Sequence, residues 1–257
     1  YHLIRNLNEV KEPMRFSALV GATAVVPDAA IGVIRSRRDT SGPWQRVIWE
    51  QVTLPRLVRR IKANLIHAPA FVAPLTSSVP VVTTIHDLSF IRFPQLFRPA
   101  NRLYLTVMTR LSAHRSRDLI AVSEHTARES ERLLGVSSDK ITVVYHGVDP
   151  RFRPLSADRV AAFRERRGLP ERFVLFVGTL EPRKNLKRLV EACARAGSEG
   201  ATLMLVGGRG WMYDDLPWYY AAAVGAFSVD ENHVQVVVSP GDAPGDAAQV
   251  AVNPPWS

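Results

Sequence analysis

The amino-acid sequence predicts a doubly wound α/β fold, in which helices cover both faces of a mostly parallel sheet. Short, continuous apolar runs alternate along the chain with stretches of helical spacing. Continuous apolar runs are typical of parallel strands buried on both faces, whereas half-exposed strands alternate apolar and polar residues. The hydrophobic and charged fractions, 46% and 22%, are those of an ordinary folded protein.

Helical patterns occupy three stretches before residue 120, at 1–10, 45–62 and 101–117. Pro55 should kink or restart the second helix, because proline has no backbone N–H to donate. In the third helix the apolar residues on one face are Leu103, Val107 and Leu111.

A fourth helix should begin after Ser123, whose hydroxyl suits an N-cap, and run to Leu134, with Gly135 ending it. Strands are predicted to begin at residue 65 and to cover 80–85, 118–122 and 141–145.

The second half repeats the alternation, with a helix at 157–167, a strand at 173–177, a helix at 186–196 and a strand at 202–206. Gly147 and Pro150 break regular structure, so we place a domain boundary there. The predicted divisions are an N-terminal domain at 1–150, a linker and helix at 151–171, the start of a second domain at 172–216, and a tail at 217–257. Prolines and Gly-Asp pairs near the end of that tail predict a loose or disordered segment.

The composition bears on three questions: disulfide formation, metal binding and cellular location. Cys193 is the only cysteine and lies in an apolar helix pattern, so we predict a buried core residue and no disulfide. No apolar run reaches the length of a membrane span, and the N-terminus lacks a signal-peptide pattern, so we expect a cytoplasmic protein. His67, His125 and His146 show no metal-binding spacing, and we predict no metal.

The net charge of +9 predicts an anionic partner. The basic residues are spread over several predicted helices, and no nucleic-acid-binding motif accompanies them, so we do not expect nucleic acid to be the partner. Phosphorylated small molecules or the inner face of an anionic membrane, bound peripherally, fit better. Basic helical clusters include Arg56, Arg59, Arg60 and Lys62, then Arg164, Arg166 and Arg167, and finally Arg183, Lys184, Lys187 and Arg188.

The segment from Phe173 to Leu189 runs from a strand into a helix and has features that suit phosphate binding. Gly178 lets a ligand approach the backbone, and the helix start offers unpaired N–H groups at the positive end of its dipole. Arg183 and Lys184 add two cations. An ordinary strand-to-helix turn with solvated basic residues explains the pattern equally well at this point.

A set of motifs kept in order between residues 49 and 216 resembles the retaining glycosyltransferase family 4, in its mannosyltransferase-like branch. The motifs are Trp49-Glu50-Gln51, Leu54-Pro55, His67-Ala68-Pro69, Pro74-Leu75, Val82 to Phe90, Ala121-Val122-Ser123, His146 to Asp149, Phe173 to Leu186 and Leu203 to Trp211.

The resemblance implies the GT-B fold, in which a nucleotide sugar binds the C-terminal Rossmann-like domain and an acceptor binds the N-terminal one. Arg183 and Lys184 match the residues that hold the donor diphosphate without a metal, and Gly178 allows its approach. Thr179 stands where some relatives have a further arginine. Trp211 and Tyr213 also match, although aromatic packing is their expected role.

His86 matches a family histidine that faces the cleft near the donor sugar, where a neutral imidazole can hydrogen-bond a hydroxyl or the transferring group. Satisfying loop backbone is the alternative role for His86. Asp87 beside it either orients His86 or caps the following turn, and the sequence leaves both open.

The chain also departs from the family. Family members carry two glutamates with seven residues between them, and the only pair with that spacing here is Glu191 and Glu199. Glu191 falls in the helix just after Lys184, where a solvated face explains the pair. A glycine-rich loop expected before residue 1 is not in the chain, and the similarity fades after Leu216. We therefore expect an internal fragment whose second domain is truncated and whose tail is unrelated or frame-shifted.

The function that the resemblance implies is transfer of a hexose, with mannose from GDP-mannose as the specific expectation, to a glycan or lipid-linked acceptor with retention of configuration. No cofactor is expected. The alternative is a catalytically inactive remnant that binds acceptor, membrane or a partner. A different GT-B-like enzyme, such as a sugar-nucleotide epimerase, fits residues 181–185 poorly.

Overall fold

The computed structural model divides the chain into two units, and the residues that it describes fall in the first unit up to Gly147 and in the second from Val148 onward. The assignment of these units to acceptor and donor stays a prediction. The structure describes residues 2–7, 10, 14–22, 24, 26, 31–38, 40, 42–178, 182–195, 201–206, 235–239 and 249–253.

A four-stranded parallel sheet forms the centre of the first unit, with the strand order β3-β4-β5-β6. The predicted strands are confirmed, with ends that differ by one or two residues. Because all four strands run in the same direction, their carboxyl ends meet at one edge. The strands are β3 (Ile66–Ala68), β4 (Val81–Ile85), β5 (Asp118–Ala121) and β6 (Ile141–Val143).

A separate parallel pair, β1 (Ser17–Val20) and β2 (Gly32–Arg35), was not predicted. The helices of the first unit are α1 (His2–Asn6), α2 (Pro43–Ile48), α3 (Leu54–Arg60), α4 (Ser89–Arg92), α5 (Pro99–Arg115) and α6 (Glu124–Leu134). Among the described helices, none is long and apolar enough to cross a bilayer.

The α-helical pattern is interrupted before Pro55: a π-helical turn at Trp49–Thr53 follows α2, and α3 begins anew at Leu54 with Pro55 in its first turn. In this turn the N–H of Leu54 donates to the carbonyl of Trp49, one residue further back than in an α-helix. Pro55 has no backbone N–H that could donate a hydrogen bond to the carbonyl of Gln51. The hydroxyl of Thr76 donates to that carbonyl instead, at 3.4 Å.

Helix α5 has nearly the predicted length but packs through the opposite face. Leu103, Val107 and Leu111 are exposed, while the buried residues are Leu105, Thr109, Ser112 and Ala113. Small residues allow close approach to the sheet, and hydrogen bonds satisfy the hydroxyls of Ser112 and Ser116, whereas that of Thr109 has no hydrogen-bond partner among the described residues. The N–H of Ala73 donates to Ser112 at 2.9 Å, and the Ser116 and Thr83 hydroxyls lie 2.7 Å apart.

Helix α6 follows its sequence signals. The Ser123 side chain accepts a hydrogen bond from the N–H of Thr126 at 3.1 Å, and Gly135 ends the helix in the left-handed region, with φ of 71°. A second bond ties the helix start to the sheet edge, since the Thr126 hydroxyl donates to the carbonyl of His86 at 3.3 Å.

The second unit contains a mixed sheet with the order β10-β9-β8-β7, in which only β7 and β8 are parallel. The predicted strands at 173–177 and 202–206 are confirmed. The elements are α7 (Ala157–Arg166), β7 (Phe173–Val177), α8 (Leu186–Arg195), β8 (Thr202–Val206), β9 (Gln235–Ser239) and β10 (Gln249–Asn253).

One expectation about this unit is wrong. Strand β7 is not buried on both faces, because Val174, Leu175 and Val177 are exposed. Strands β9 and β10 lie in the predicted tail and pair antiparallel with each other. Both strands are rich in valine, which favours extended backbone.

Candidate functional site

His86 follows directly after β4 and lies at the carboxyl edge of the parallel sheet. Its Nε2–H donates to the carbonyl of Pro69 at 2.8 Å. The ring of Phe71 meets it edge-on, with centroids 5.9 Å apart. These contacts fix the direction of the imidazole and satisfy the loop backbone, which was the alternative role for His86.

His146 stacks on His86, with ring centroids 5.4 Å apart and planes at 17°. In the sequence, His146 belongs to the His146 to Asp149 motif and was considered as a metal ligand, but its pairing with His86 was not predicted. A signal was present, because both residues follow strands of one parallel sheet, and the carboxyl ends of such strands share an edge. The structure therefore brings two imidazoles together where α/β sheets bind ligands.

Asp87 caps the turn that follows it. One of its carboxylate oxygens accepts hydrogen bonds from the N–H of Ser89, at 2.9 Å, and from the Ser89 hydroxyl. Of the two roles left open by the sequence, this geometry is that of an Asx turn. Asp87 thereby fixes the path of the backbone from His86 into α4.

His67 lies on β3, and its Nε2 is 2.8 Å from the hydroxyl of Thr84 on β4. The residue keeps a solvent-exposed edge, but burial around the ring lowers the pKa of His67, and the charge of His86 lowers it further. A neutral His67 is therefore favoured in the folded protein.

The lowered pKa of His67 predicts a pH-dependent stability. Below the ordinary histidine pKa of about 6.5, the unfolded chain takes up a proton that the folded chain resists, so stability falls as the pH falls. The free energy of unfolding should change with pH by well below the one-proton limit of about 1.4 kcal/mol per pH unit, because the ring keeps contact with solvent. Urea unfolding at several pH values should show a shallower slope for His67→Gln than for the wild type. His125→Gln, which alters an exposed ring, is the control, and equal slopes for all three proteins would contradict the assignment.

The second set of predicted residues flanks the connection from β7 to α8. Gly178 directly follows β7, and its N–H donates to the carbonyl of Val206 at 2.9 Å, which ties it to the end of β8. A Cβ at this position would come within 3.2 Å of the Phe176 ring. Glycine therefore keeps the backbone uncrowded at the strand end, as a close-binding ligand requires.

Arg183 and Lys184 form a single 3-10 turn with Pro182, and both side chains are exposed. Asn185 has φ of 54°, in the left-handed region that asparagine tolerates better than most residues, and α8 begins directly afterwards. The two cations thus stand just before a ten-residue helix, at the positive end of its dipole.

Apolar packing fixes the position of α8. Leu186, Leu189 and Val190 pack against Leu203 and Leu205 of β8. Cys193, predicted to be a fully buried core residue, is only partly buried and packs against the same cluster. This packing holds the start of α8 against β8.

Glu191 forms an ion pair with Lys187 at 3.9 Å, one helical turn away, which fits the solvated-face interpretation of this glutamate. The other predicted positions, Thr179, Glu199, Trp211 and Tyr213, lie outside the described residues. Within the described ranges, no three His, Cys, Asp or Glu side chains are arranged to hold a metal ion.

A sequence profile described as Glycosyltransferase Family 4 matches residues 16–152, which is just over half of the 257 residues. The chain belongs to glycosyltransferase family 4. This match covers the parallel sheet, His86 and Asp87, and it ends before the second-unit residues Gly178, Arg183 and Lys184.

Curated proteins with similar sequences are also described as glycosyltransferases. The chain is 28% identical over 166 residues to O-antigen chain mannosyltransferase B of Escherichia coli, covering 63% of this chain and 43% of that protein. It is also 28% identical over 142 residues to an uncharacterized glycosyltransferase of Methanocaldococcus jannaschii, covering 54% and 36%. The chain thus spans less than half the length of these relatives.

Solved structures support the α/β, GT-B-like fold. The crystal structure of Anabaena HepE in complex with UDP-glucose matches with a TM-score of 0.54 at 20% identity, covering 82% of this chain and 59% of that one. The same protein in complex with UDP matches with a TM-score of 0.52 at 19% identity. At this identity the likeness concerns the fold alone.

Proposed function

We propose that this protein transfers a hexose from a nucleotide sugar to a glycan or lipid-linked acceptor, with retention of anomeric configuration. Membership of glycosyltransferase family 4 is the observation that carries the proposal. GDP-mannose is the donor we propose, because the E. coli relative is a mannosyltransferase. UDP-glucose is the competing donor, since the Anabaena structure contains it.

In this proposal Arg183 and Lys184 hold the donor diphosphate, and the uncrowded backbone at Gly178 lets it approach. Negative charge builds on the diphosphate as the glycosidic bond breaks, so fixed cations stabilise the transition state more than the ground state. The exposed pair at the start of α8 supplies such cations. No metal ion is needed for this neutralisation.

His86 is proposed to contact the reacting sugar. The Pro69 carbonyl and the flanking rings of Phe71 and His146 hold the imidazole in one orientation, as a group that hydrogen-bonds a substrate requires. Asp87, through its bonds to Ser89, acts as a positioning residue for this turn.

We place the reaction on the cytoplasmic side of a membrane, where a lipid-linked acceptor is available to a peripherally bound enzyme. The net charge of +9 supports contact with anionic headgroups.

A transfer assay with sugar-labelled GDP-mannose and UDP-glucose tests the proposal. Each donor is incubated with the chain and either a glycan or a polyprenyl-linked acceptor, and the anomeric configuration of any product is read from its one-bond C1–H1 coupling. Transfer from GDP-mannose with an α-linked product is expected. A folded chain that transfers neither sugar would contradict the proposal and favour the inactive, binding remnant, and an inverted product would contradict retention.

A further inference from the structure

Gln51 lies in the π-helical turn before α3 and bonds to the segment that follows β3. Its side-chain amide donates to the carbonyl of Ala73 at 3.0 Å, and its side-chain oxygen accepts from the N–H of Leu75 at 3.0 Å. The backbone carbonyl of Gln51 accepts from the hydroxyl of Thr76 in the same segment. One residue therefore makes three hydrogen bonds to residues 73–76.

The two side-chain bonds of Gln51 require a donor and an acceptor on one planar group. A carboxamide carries both, whereas an ionised carboxylate only accepts and a thioether has no N–H or O–H to donate. The carbonyl that receives the amide N–H is buried, since Ala73 is 1% exposed. A buried carbonyl that loses its donor is costly, so this bond restrains the backbone at Ala73.

Helix α5 holds the other side of the same two residues. The N–H of Ala73 donates to the Ser112 hydroxyl at 2.9 Å, and the Arg115 Nε–H donates to the carbonyl of Leu75 at 3.1 Å. Ala73 and Leu75 thus each bond to Gln51 through one backbone group and to α5 through the other. Because α5 keeps its contacts, loss of the Gln51 bonds should shift this segment rather than unfold it.

The same segment carries two contacts that orient His86. The Pro69 carbonyl accepts from its Nε2–H at 2.8 Å, and the Phe71 ring meets the imidazole edge-on. Phe71 has φ of 49°, in the left-handed region that an aromatic residue rarely adopts. Such a conformation persists only where the surroundings impose it. The bonds of Gln51 begin two residues further along the chain, at Ala73, and supply part of that restraint.

We propose that Gln51 is a positioning residue for His86. It holds the backbone of residues 73–75, this segment places Pro69 and Phe71, and those two residues orient the imidazole. A group that hydrogen-bonds a reacting sugar must be placed closely, because a displacement of about 1 Å can slow a reaction about 100-fold. The effect on catalysis rests on the function proposed for His86, whereas the effect on the orientation of the ring does not.

Nuclear magnetic resonance of the histidine side chains tests this relay without a substrate. In the wild type, the neutral His86 ring should carry its proton on Nε2 alone, and nuclear Overhauser effects should join its protons to those of Phe71. Gln51→Met keeps a side chain of similar size and removes both hydrogen bonds. It should weaken these Overhauser effects and give a mixture of the two tautomers. The signals that disappear in His86→Gln assign the ring.

Two control variants separate positioning from general stability. Gln95→Met makes the same substitution at an exposed glutamine of the first unit and should leave the His86 signals unchanged. Leu134→Ala deletes a side chain that is 3% exposed at the end of α6. It should lower the urea midpoint of unfolding without altering the contact between Phe71 and His86. An unchanged contact in folded Gln51→Met, or an equal loss of contact in Leu134→Ala, would overturn the proposal.

A second variant, Gln51→Glu, replaces Gln51→Met if that protein does not fold. Its carboxylate keeps the acceptor for Leu75 and loses the donor to Ala73, so the contact between Phe71 and His86 should weaken in this variant as well. An unchanged contact would again overturn the proposal.

Transfer kinetics measure the consequence for the reaction. With GDP-mannose as the donor, Gln51→Met should lower kcat by about 10- to 100-fold and change the donor KM little, because the residues proposed to hold the diphosphate are untouched. Gln95→Met should change neither constant. A wild type that transfers no sugar would contradict the proposed function, and the resonance measurements would still decide the role of Gln51. A fall in kcat with an unchanged His86 ring would overturn that role.

Discussion

Replacing Lys184 by alanine is expected to slow glycosyl transfer by about 100- to 1,000-fold, the loss seen when one preorganised charge-stabilising group is removed from a transition state. The side chain is exposed at the turn before α8, so its removal should leave the fold intact. The loss should fall mainly on kcat, because the charge on the leaving diphosphate grows during the reaction.

Lys187→Ala is the matched control for this prediction. Lys187 lies one turn further along α8, carries the same charge and pairs with Glu191 on the helix surface. Its replacement should change the rate little. If Lys184→Ala and Lys187→Ala slow transfer equally, the basic pair has no special role and the solvated-turn interpretation is correct.

Replacing Phe90 by alanine should lower the free energy of unfolding by about 3–5 kcal/mol, because the change deletes a buried ring and leaves a cavity. Phe90 is 2% exposed and meets Phe71 and Phe97 edge-on, at centroid distances of 5.7 and 6.3 Å. The same cluster contains Ile85, the last residue of β4 before His86. Thermal and urea unfolding followed by circular dichroism measure the change.

The exposed Phe152 provides the comparison for Phe90, and Phe152→Ala should stay within about 0.5 kcal/mol of the wild type. A similarly small effect of Phe90→Ala would show that the described core around β4 does not form. The position assigned to His86 would then lose its support as well.

Where local chemistry determines an element, the sequence was sufficient. Helix α6 begins after Ser123 and ends before Gly135 as predicted, because a capping hydroxyl and a left-handed glycine act through neighbouring residues. Strands β4, β5 and β6 were recognisable as short apolar runs for the same reason.

Tertiary packing explains the errors. The pattern Leu103, Val107 and Leu111 predicted the core side of α5, but the buried side combines Leu105 with small and hydroxyl-bearing residues, one of which bonds to a residue far away in sequence. Ser112, for example, accepts from the backbone of Ala73. The spacing of apolar residues in the sequence therefore does not predict this buried face.

The candidate site also combines features that the local sequence predicts with one that depends on tertiary structure. His86 could be identified by its motif, and the turn-capping role of Asp87 was one of two local options. The stacking of His146 on His86 joins positions 60 residues apart in the sequence, so it required the strand order β4-β5-β6. Gly178 and the Arg183–Lys184 pair were predicted from the strand-to-helix pattern, and the structure places them at that connection.

Calorimetric binding of nucleoside diphosphates and monophosphates tests the central claim, a diphosphate site at the start of α8, without requiring an acceptor. The wild type should bind GDP at least about tenfold more tightly than GMP, since the additional phosphate gains a charge-assisted hydrogen bond. UDP and UMP are compared in parallel to allow for the competing donor. With Arg183 and Lys184 both replaced by alanine, the preference for the diphosphate should disappear. An unchanged preference in that double variant would contradict the account.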